Sequence, residues 1–267
     1  MAAAEAQAAA RRASWPRANV LGVGVHAVNM DDALRIVFDA VREHRKGYVC
    51  VTGVHGVMEA QKDEVFRRAL NSAMLVTPDG MPTVWMGKAQ GHRDMDRVFG
   101  PEFMWNVCSD SVSRQVTHFL YGGNPGVAEQ LRDNLCNSFP GLKIVGTYTP
   151  PFRPLNPDEE SELIEQVSQA SPDFFWVGLS TPKQERFMAA YLDKLDTRVM
   201  VGVGAAFDVH TGRIKDCDQW IKRAGLQWAH RLMQEPRRLW KRYLINNPKF
   251  IVCAVSQLVG FSDYSFE

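Results

Sequence analysis

Apolar residues gather in strand-length runs at 20–25, 48–52, 74–76, 118–121, 143–145, 174–177 and 199–203, and stretches of helical spacing follow most of them. The stretch 31–44 sets Leu34, Val37, Phe38 and Val41 along one face, and Gly47 stops it soon afterwards. Strand-helix alternation of this kind predicts an α/β sandwich around a largely parallel sheet. Past residue 211 the alternation gives way to aromatic and basic sequence suited to helices, so a C-terminal helical appendage is expected there. The expected division is a disordered leader at 1–17, a core at 18–211 and the appendage at 212–267.

Three of the apolar runs deliver polar groups into a turn. The run at 74–76 leads to Asp79-Gly80-Met81-Pro82, the one at 174–177 to Thr181-Pro182-Lys183-Gln184-Glu185, and the one at 199–203 to Gly204-Ala205-Ala206-Phe207-Asp208. Ligands of open α/β sheets sit in the crevice beyond the carboxyl ends of the strands, where such groups would reach them. From the residues alone Asp79 has two readings: a carboxylate presented to a substrate hydroxyl, or a cap on the helix that Pro82 opens. Gln184 likewise reads as a sugar-orienting amide or as an exposed residue of a first helical turn.

Gly22-Val23-Gly24 and Gly202-Val203-Gly204 resemble the start of a dinucleotide-binding fingerprint, but the third glycine is missing and Phe207 stands where the second copy would carry it. A tight turn at a strand end is the plainer reading of a lone G-x-G.

Taken in order, Asp79-Gly80, Pro182-Lys183-Gln184-Glu185, Gly202-x-Gly204-x-x-Phe207-Asp208 and Gly225-Leu226-x-Trp228-x-x-Arg231-Leu232-x-x-Glu235-Pro236-x-Arg238 resemble the WecG/TagA/CpsF glycosyltransferases over about 21–243. The resemblance implies a Rossmann-like fold. It also implies transfer of a sugar from a nucleotide-sugar, often a UDP-sugar, to a polyprenyl-diphosphate-linked saccharide, with anomeric inversion and no required metal or other cofactor.

Glycosyl transfer needs a base for the acceptor hydroxyl and stabilisation of the departing nucleoside diphosphate. Asp79 is the expected general base and Gln184 its sugar-orienting companion. Gly204 and Asp208 are assigned to the nucleotide, Thr52 to substrate, and Arg97, Arg231, Arg237 and Arg238 to the diphosphate. Two segments depart from the family pattern. Val51-Thr52-Gly53-Val54-His55 has Gly53 where the family carries Asn, which leaves the role of Thr52 open and His55 as a residue that could face the site. Asp216-Cys217-Asp218 replaces the family's Arg-Ala-Pro, so acceptor recognition could differ.

Composition adds a compartment and a surface. Five cysteines without a C-x-x-C pair do not suggest a disulfide framework, and a reducing, cytoplasmic setting fits. In the N-terminal segment Arg11-Arg12 follow the Ala-rich stretch, the wrong side for a secretory signal. The net charge of +1 hides an asymmetry: from Gly212 onward ten Lys/Arg face five Asp/Glu, against 21 and 25 before it. Trp220, Trp228, Trp240 and Tyr243 interleave with those cations, a mixture suited to peripheral attachment of 220–261 to the inner face of the cell membrane. No recognition motif for nucleic acid accompanies it, and self-association is left open. An oxidoreductase using NAD(P) and a catalytically silent membrane scaffold are the competing function classes.

Overall fold

The structure is a computed structural model that describes residues 15–266; most of the leader expected at 1–17 therefore lies outside the described residues. Two short strands come first, β1 (Arg17–Val20) and β2 (Val23–His26). They form an antiparallel hairpin in which Val20 faces Val23. The single strand expected at 20–25 is thus two, because Leu21 and Gly22 both turn at positive φ, 52° and 79°, the geometry of a two-residue hairpin loop. Gly22-Val23-Gly24 consequently belongs to this hairpin and not to a phosphate-binding turn. β1 also begins inside the stretch read as leader.

The main sheet has the order β4-β3-β8-β7-β5-β6. Its strands are β3 (Gly47–Thr52), β4 (Leu75–Pro78), β5 (Thr117–Gly122), β6 (Lys143–Tyr148), β7 (Phe174–Gly178) and β8 (Val199–Gly202). Every neighbouring pair is parallel. β3, β4 and β8 are buried along their whole length, which is why these strands read as continuous apolar runs and not as alternating ones. The chain is therefore a mixed α/β fold on a parallel sheet.

Helices pack on both faces. On one, α1 (Met30–Arg42), α5 (Gly100–Arg114) and α6 (Val127–Ser138) bury Phe38, Phe103 and Leu131 against Val49, Val201 and Trp176. On the other, α2 (Val54–Ala60), α3 (Glu64–Asn71), α7 (Pro157–Ala170) and α8 (Lys183–Tyr191) bury Met58, Leu70, Leu163 and Met188 against Cys50, Met200 and Phe175. The capping box of Asn29 and Asp32 starts α1 where the apolar spacing begins. The outer edge of β4 is blunted by the hairpin, since the Val76 N–H donates to His26 Nδ1 at 2.9 Å.

Two more helices, α4 (Met81–Ala89) and α9 (Ala206–His210), follow β4 and β8. The last part of the chain is helical: α10 (Gln219–Arg223), α11 (Gln227–Gln234) and α12 (Pro236–Leu258). Gly225, at φ 71°, separates the first two. Leu239, Phe250 and Ala254 of α12 are buried, the latter two within the second core cluster.

Candidate active site

A cleft of about 1400 Å³ opens beyond the carboxyl ends of the sheet strands and is lined from the other side by residues of α10, α11 and α12. Strand ends supply Gly53, Asp79, Gly123, Leu179 and Gly204. The C-terminal helices supply Lys222, Gln227, Arg231, Arg238 and Arg242. Parallel strands present all their carboxyl ends on one side, so the chain brings five separate turns to one place.

Asp79 follows β4 directly. Its N–H donates to the Thr52 carbonyl at 3.0 Å, extending the β3–β4 pairing by one residue, and its own carbonyl accepts from Arg97 Nε at 2.7 Å. Gly80, not Asp79, holds the cap position of α4. The carboxylate instead meets the start of α5, Oδ1 accepting weakly from the Gly100 N–H at 3.4 Å. Burial raises the pKa of this carboxyl; Arg97, the Gly100 N–H, Arg242 and Arg231 pull against it. The result is a carboxylate more basic than an ordinary aspartate, held by its main chain and open to the cleft.

Arg97 reaches in two directions. Beyond its bond to Asp79, Nη2 donates to Gln227 Oε1 at 2.6 Å, and its guanidinium lies 4.2 Å from the centre of the Phe99 ring. It lines the cleft but is committed to joining the β4 end to α11.

Gln184 is almost wholly buried at the start of α8, and so is Glu185. Glu185 Oε1 accepts from Thr181 Oγ1 at 2.7 Å and from Gln184 Nε2 at 3.1 Å. With its NH2 group committed, Gln184 keeps Oε1 buried and without a partner among the described residues. That oxygen lies beside Gly204, where a Cβ would sit 3.5 Å from it. The amide oxygen can accept a hydrogen bond from an N–H or O–H. Burial raises the Glu185 pKa, against the hydrogen bonds from Thr181 and Gln184.

Gly204 turns at φ 51° and lines the cleft beside Asp208. Burial raises the Asp208 pKa while Arg238 and Arg213 oppose it. Phe207 does not leave room for a dinucleotide-type turn: a Cβ on Gly178 would lie 2.9 Å from its ring. The glycine that matters for close packing is on β7, and an aromatic ring fills the space that the third fingerprint glycine would open.

Three arginines converge from the C-terminal helices. Glu235 accepts from Arg231 at 3.2 Å and from Arg238. Arg231 Nε and Arg242 Nε are buried without a partner among the described residues. Burial lowers the Arg242 pKa, with Arg231 and Arg238 adding to the effect and Tyr243 and Asp79 opposing it. An arginine remains a cation regardless, so the cluster concentrates positive charge on this wall of the cleft. Arg237, by contrast, is exposed and lies outside the residues lining the cleft.

Thr52 also lies outside that lining: it is buried, with its side chain packed toward Gly56. Its neighbour His55 does line the cleft, and Asn246 Nδ2 of α12 lies 3.4 Å from His55 Nδ1. Burial lowers the His55 pKa to about 4, helped by Arg242 and opposed by Glu59. Among the described residues no group of three or more His, Cys, Asp or Glu is placed to hold a metal ion.

Residues 18–263 match the Glycosyl transferase WecG/TagA/CpsF family. The chain belongs to this family. It is a WecG/TagA/CpsF glycosyltransferase, and it is similar to two curated relatives, each named N-acetylglucosaminyldiphosphoundecaprenol N-acetyl-beta-D-mannosaminyltransferase. That of Bacillus subtilis (strain 168) is 28% identical over 198 residues, 74% of this chain and 75% of the relative. That of Bacillus spizizenii (strain ATCC 23059 / NRRL B-14472 / W23) is 27% identical over 214 residues, 80% of each chain. Two residues, one lining this glycosyltransferase's cleft and one buried behind Gln184, were not among the sequence-derived site residues. Arg242 was legible as the residue four after Arg238, on the same helical face. Glu185 stood in the sequence beside Gln184, but only its burial marks it as the group that orients that amide.

Proposed function

We propose that the enzyme moves a sugar, with inversion, from a nucleotide-sugar, most simply a UDP-sugar, onto a polyprenyl-diphosphate-linked saccharide in the assembly of a surface or secreted polysaccharide. The observation that carries the reading is one cleft holding a carboxylate of raised basicity, Asp79, together with buried arginine nitrogens that lack partners, on Arg231 and Arg242. The names of the two relatives supply the chemical class of the acceptor.

In this reading Asp79 takes the proton of the acceptor hydroxyl as that oxygen attacks the anomeric carbon from the face opposite the nucleotide. The bond from that carbon to the diphosphate oxygen breaks, and the electron pair leaves with the nucleoside diphosphate. Arg231, Arg238 and Arg242 meet the charge that develops on it, a task that cations placed in advance perform without a metal. Gln184 accepts a hydrogen bond from the donor through Oε1, and Gly204 and Asp208 flank the nucleotide. Residues 212–267 form the appendage that completes the cleft, as the arginines they carry support.

No described helix is long and apolar enough to cross a membrane. Exposed Trp220, Trp240, Leu244, Ile245, Val252 and Phe261 support peripheral attachment of 220–261 to the inner face of the cell membrane, where a polyprenyl acceptor would be met.

The test is transfer from a panel of UDP-sugars to a synthetic N-acetylglucosaminyl-diphospholipid with EDTA present. Product that is formed by the wild type and reduced a thousandfold or more in Asp79→Asn supports the reading. Equal product in both proteins contradicts the role of Asp79, and absence of product with every donor contradicts the transfer reading.

A further inference from the structure

The cleft extends past Asp79 to the far end of α12, and its lining changes character along that helix. Arg238 and Arg242 stand on the N-terminal part of that helix, Asn247 follows, and then come Phe250, Ile251, Ala254, Val255 and Leu258. Positions 247, 250, 251, 254, 255 and 258 have the spacing of one helical face, so the cleft is bordered by a single rail that is cationic at one end and apolar at the other. From Arg242 to Leu258 that rail runs roughly 24 Å at the usual rise per residue. Aromatic rings line the same cleft: Tyr121 stacks on Phe187 at 4.5 Å, and Phe187 on Tyr191 at 4.3 Å. Phe250 and Ala254 belong to the hydrophobic cluster against which Leu155, Phe187 and Tyr191 pack.

Ile251 and Val255 are 60% and 55% exposed although they line the cleft, so the apolar end of the rail is open to a ligand. A sugar or nucleotide would leave it unsatisfied. An acceptor whose polar head is followed by a branched hydrocarbon chain covers that apolar end, next to the cationic end that meets the donor.

We propose that the apolar part of the α12 rail is a lipid arm of the active site, which takes the first isoprene units of the acceptor, while Arg238 and Arg242 at its other end stay with the nucleotide. The inference rests on the transfer reading above and adds a site for the hydrocarbon. Lipid recognition then belongs to the protein's own cleft and is not solely a consequence of attachment to a membrane.

The discriminating feature is Val252. It lies on the same helix and is 69% exposed, but it is outside the residues lining the cleft. Transfer is measured, without vesicles and below micellar concentrations, to N-acetylglucosamine diphosphate esters carrying either a methyl or a farnesyl group. The wild type is expected to favour the farnesyl ester in kcat/KM by about tenfold or more, since each buried methylene contributes severalfold. Ile251→Asp and Val255→Asp are expected to lose most of that preference, and Val252→Asp is expected to retain it. An unchanged preference in Ile251→Asp and Val255→Asp, or an equal loss in all three variants, overturns the arm. Absence of transfer to either ester by the wild type overturns the transfer reading itself, and the arm with it.

Discussion

Arg97 holds Asp79 by its main chain and not by its carboxylate: Nε donates to the Asp79 carbonyl at 2.7 Å, while Nη2 donates to Gln227 Oε1 at 2.6 Å. One planar guanidinium thus fixes the strand end that carries the proposed base and joins it to α11. A lysine has a single charged centre and no fork of this kind. Arg97→Lys is expected to lower kcat by about tenfold to a hundredfold through misplacement of Asp79, while UDP affinity changes little. Steady-state kinetics with UDP titration separates this from a direct phosphate contact, which would weaken UDP binding as well.

Burial raises the Asp79 pKa above its ordinary 3.8. The folded enzyme therefore binds this proton more tightly than the unfolded chain, so Asp79 makes stability fall as pH rises from the unfolded value through the folded one. Above that window the charged form is a standing cost. Asp79→Asn is expected to raise Tm at neutral pH while abolishing transfer, and the wild-type kcat/KM is expected to fall on the acid side at a pH above 3.8. Differential scanning calorimetry and a pH-rate profile check the two halves.

The buried histidines act in the opposite direction. Burial lowers His26 and His118 to about 3 and His55 to about 4. Each binds a proton more readily when unfolded, so its contribution is present above pH 6.5 and is lost as pH falls toward its folded pKa. Raised carboxyls at Asp79, Asp208 and Glu185 oppose this trend in the lower part of the same range. Trp176 Nε1 donates to His118 Nδ1 at 3.0 Å, so glutamine at this position keeps an acceptor without the titration. His118→Gln is expected to flatten the dependence of unfolding free energy on pH between 6.5 and 3.5 by about 1.4 kcal/mol per pH unit where the histidine titrates. Urea unfolding at a series of pH values reads that slope.

The sheet was legible because its central strands are buried on both faces: 48–52, 174–177 and 199–203 carry a single polar side chain, Thr52, at the end of its run, and became β3, β7 and β8. The hairpin was not, because Leu21 adopts positive φ without the Asn-Gly or Asp-Gly pair that usually marks such a turn. At the site, the strand-end position of Asp79 followed from the apolar run before it. Thr52 was harder to place, since one residue decides which face of a strand a side chain takes; Val51 lines the cleft and Thr52 turns toward Gly56. Gln184 carries no signal of burial in its own sequence context, because the groups that cover it come from Gly202, Gly204 and Glu185 after folding.

Gly178 gives a purely structural test. A Cβ there would lie 2.9 Å from the Phe207 ring. Gly178→Ala is expected to destabilise the protein by about 1–3 kcal/mol through overpacking, and Phe207→Leu in the same chain is expected to recover part of the loss. Thermal unfolding of the two single variants and the double variant measures the coupling.

In the proposed mechanism, arginines of the C-terminal helices hold the nucleoside diphosphate beside Asp79 without a metal. Calorimetric titration of UDP in EDTA tests it most directly, on the wild type, Asp79→Asn and Arg242→Gln. Binding is expected in EDTA, with about tenfold or greater weakening in Arg242→Gln and unchanged or tighter binding in Asp79→Asn, which removes a negative charge near the anion. Binding that appears only when a divalent metal is added, or that is indifferent to Arg242→Gln, would contradict it.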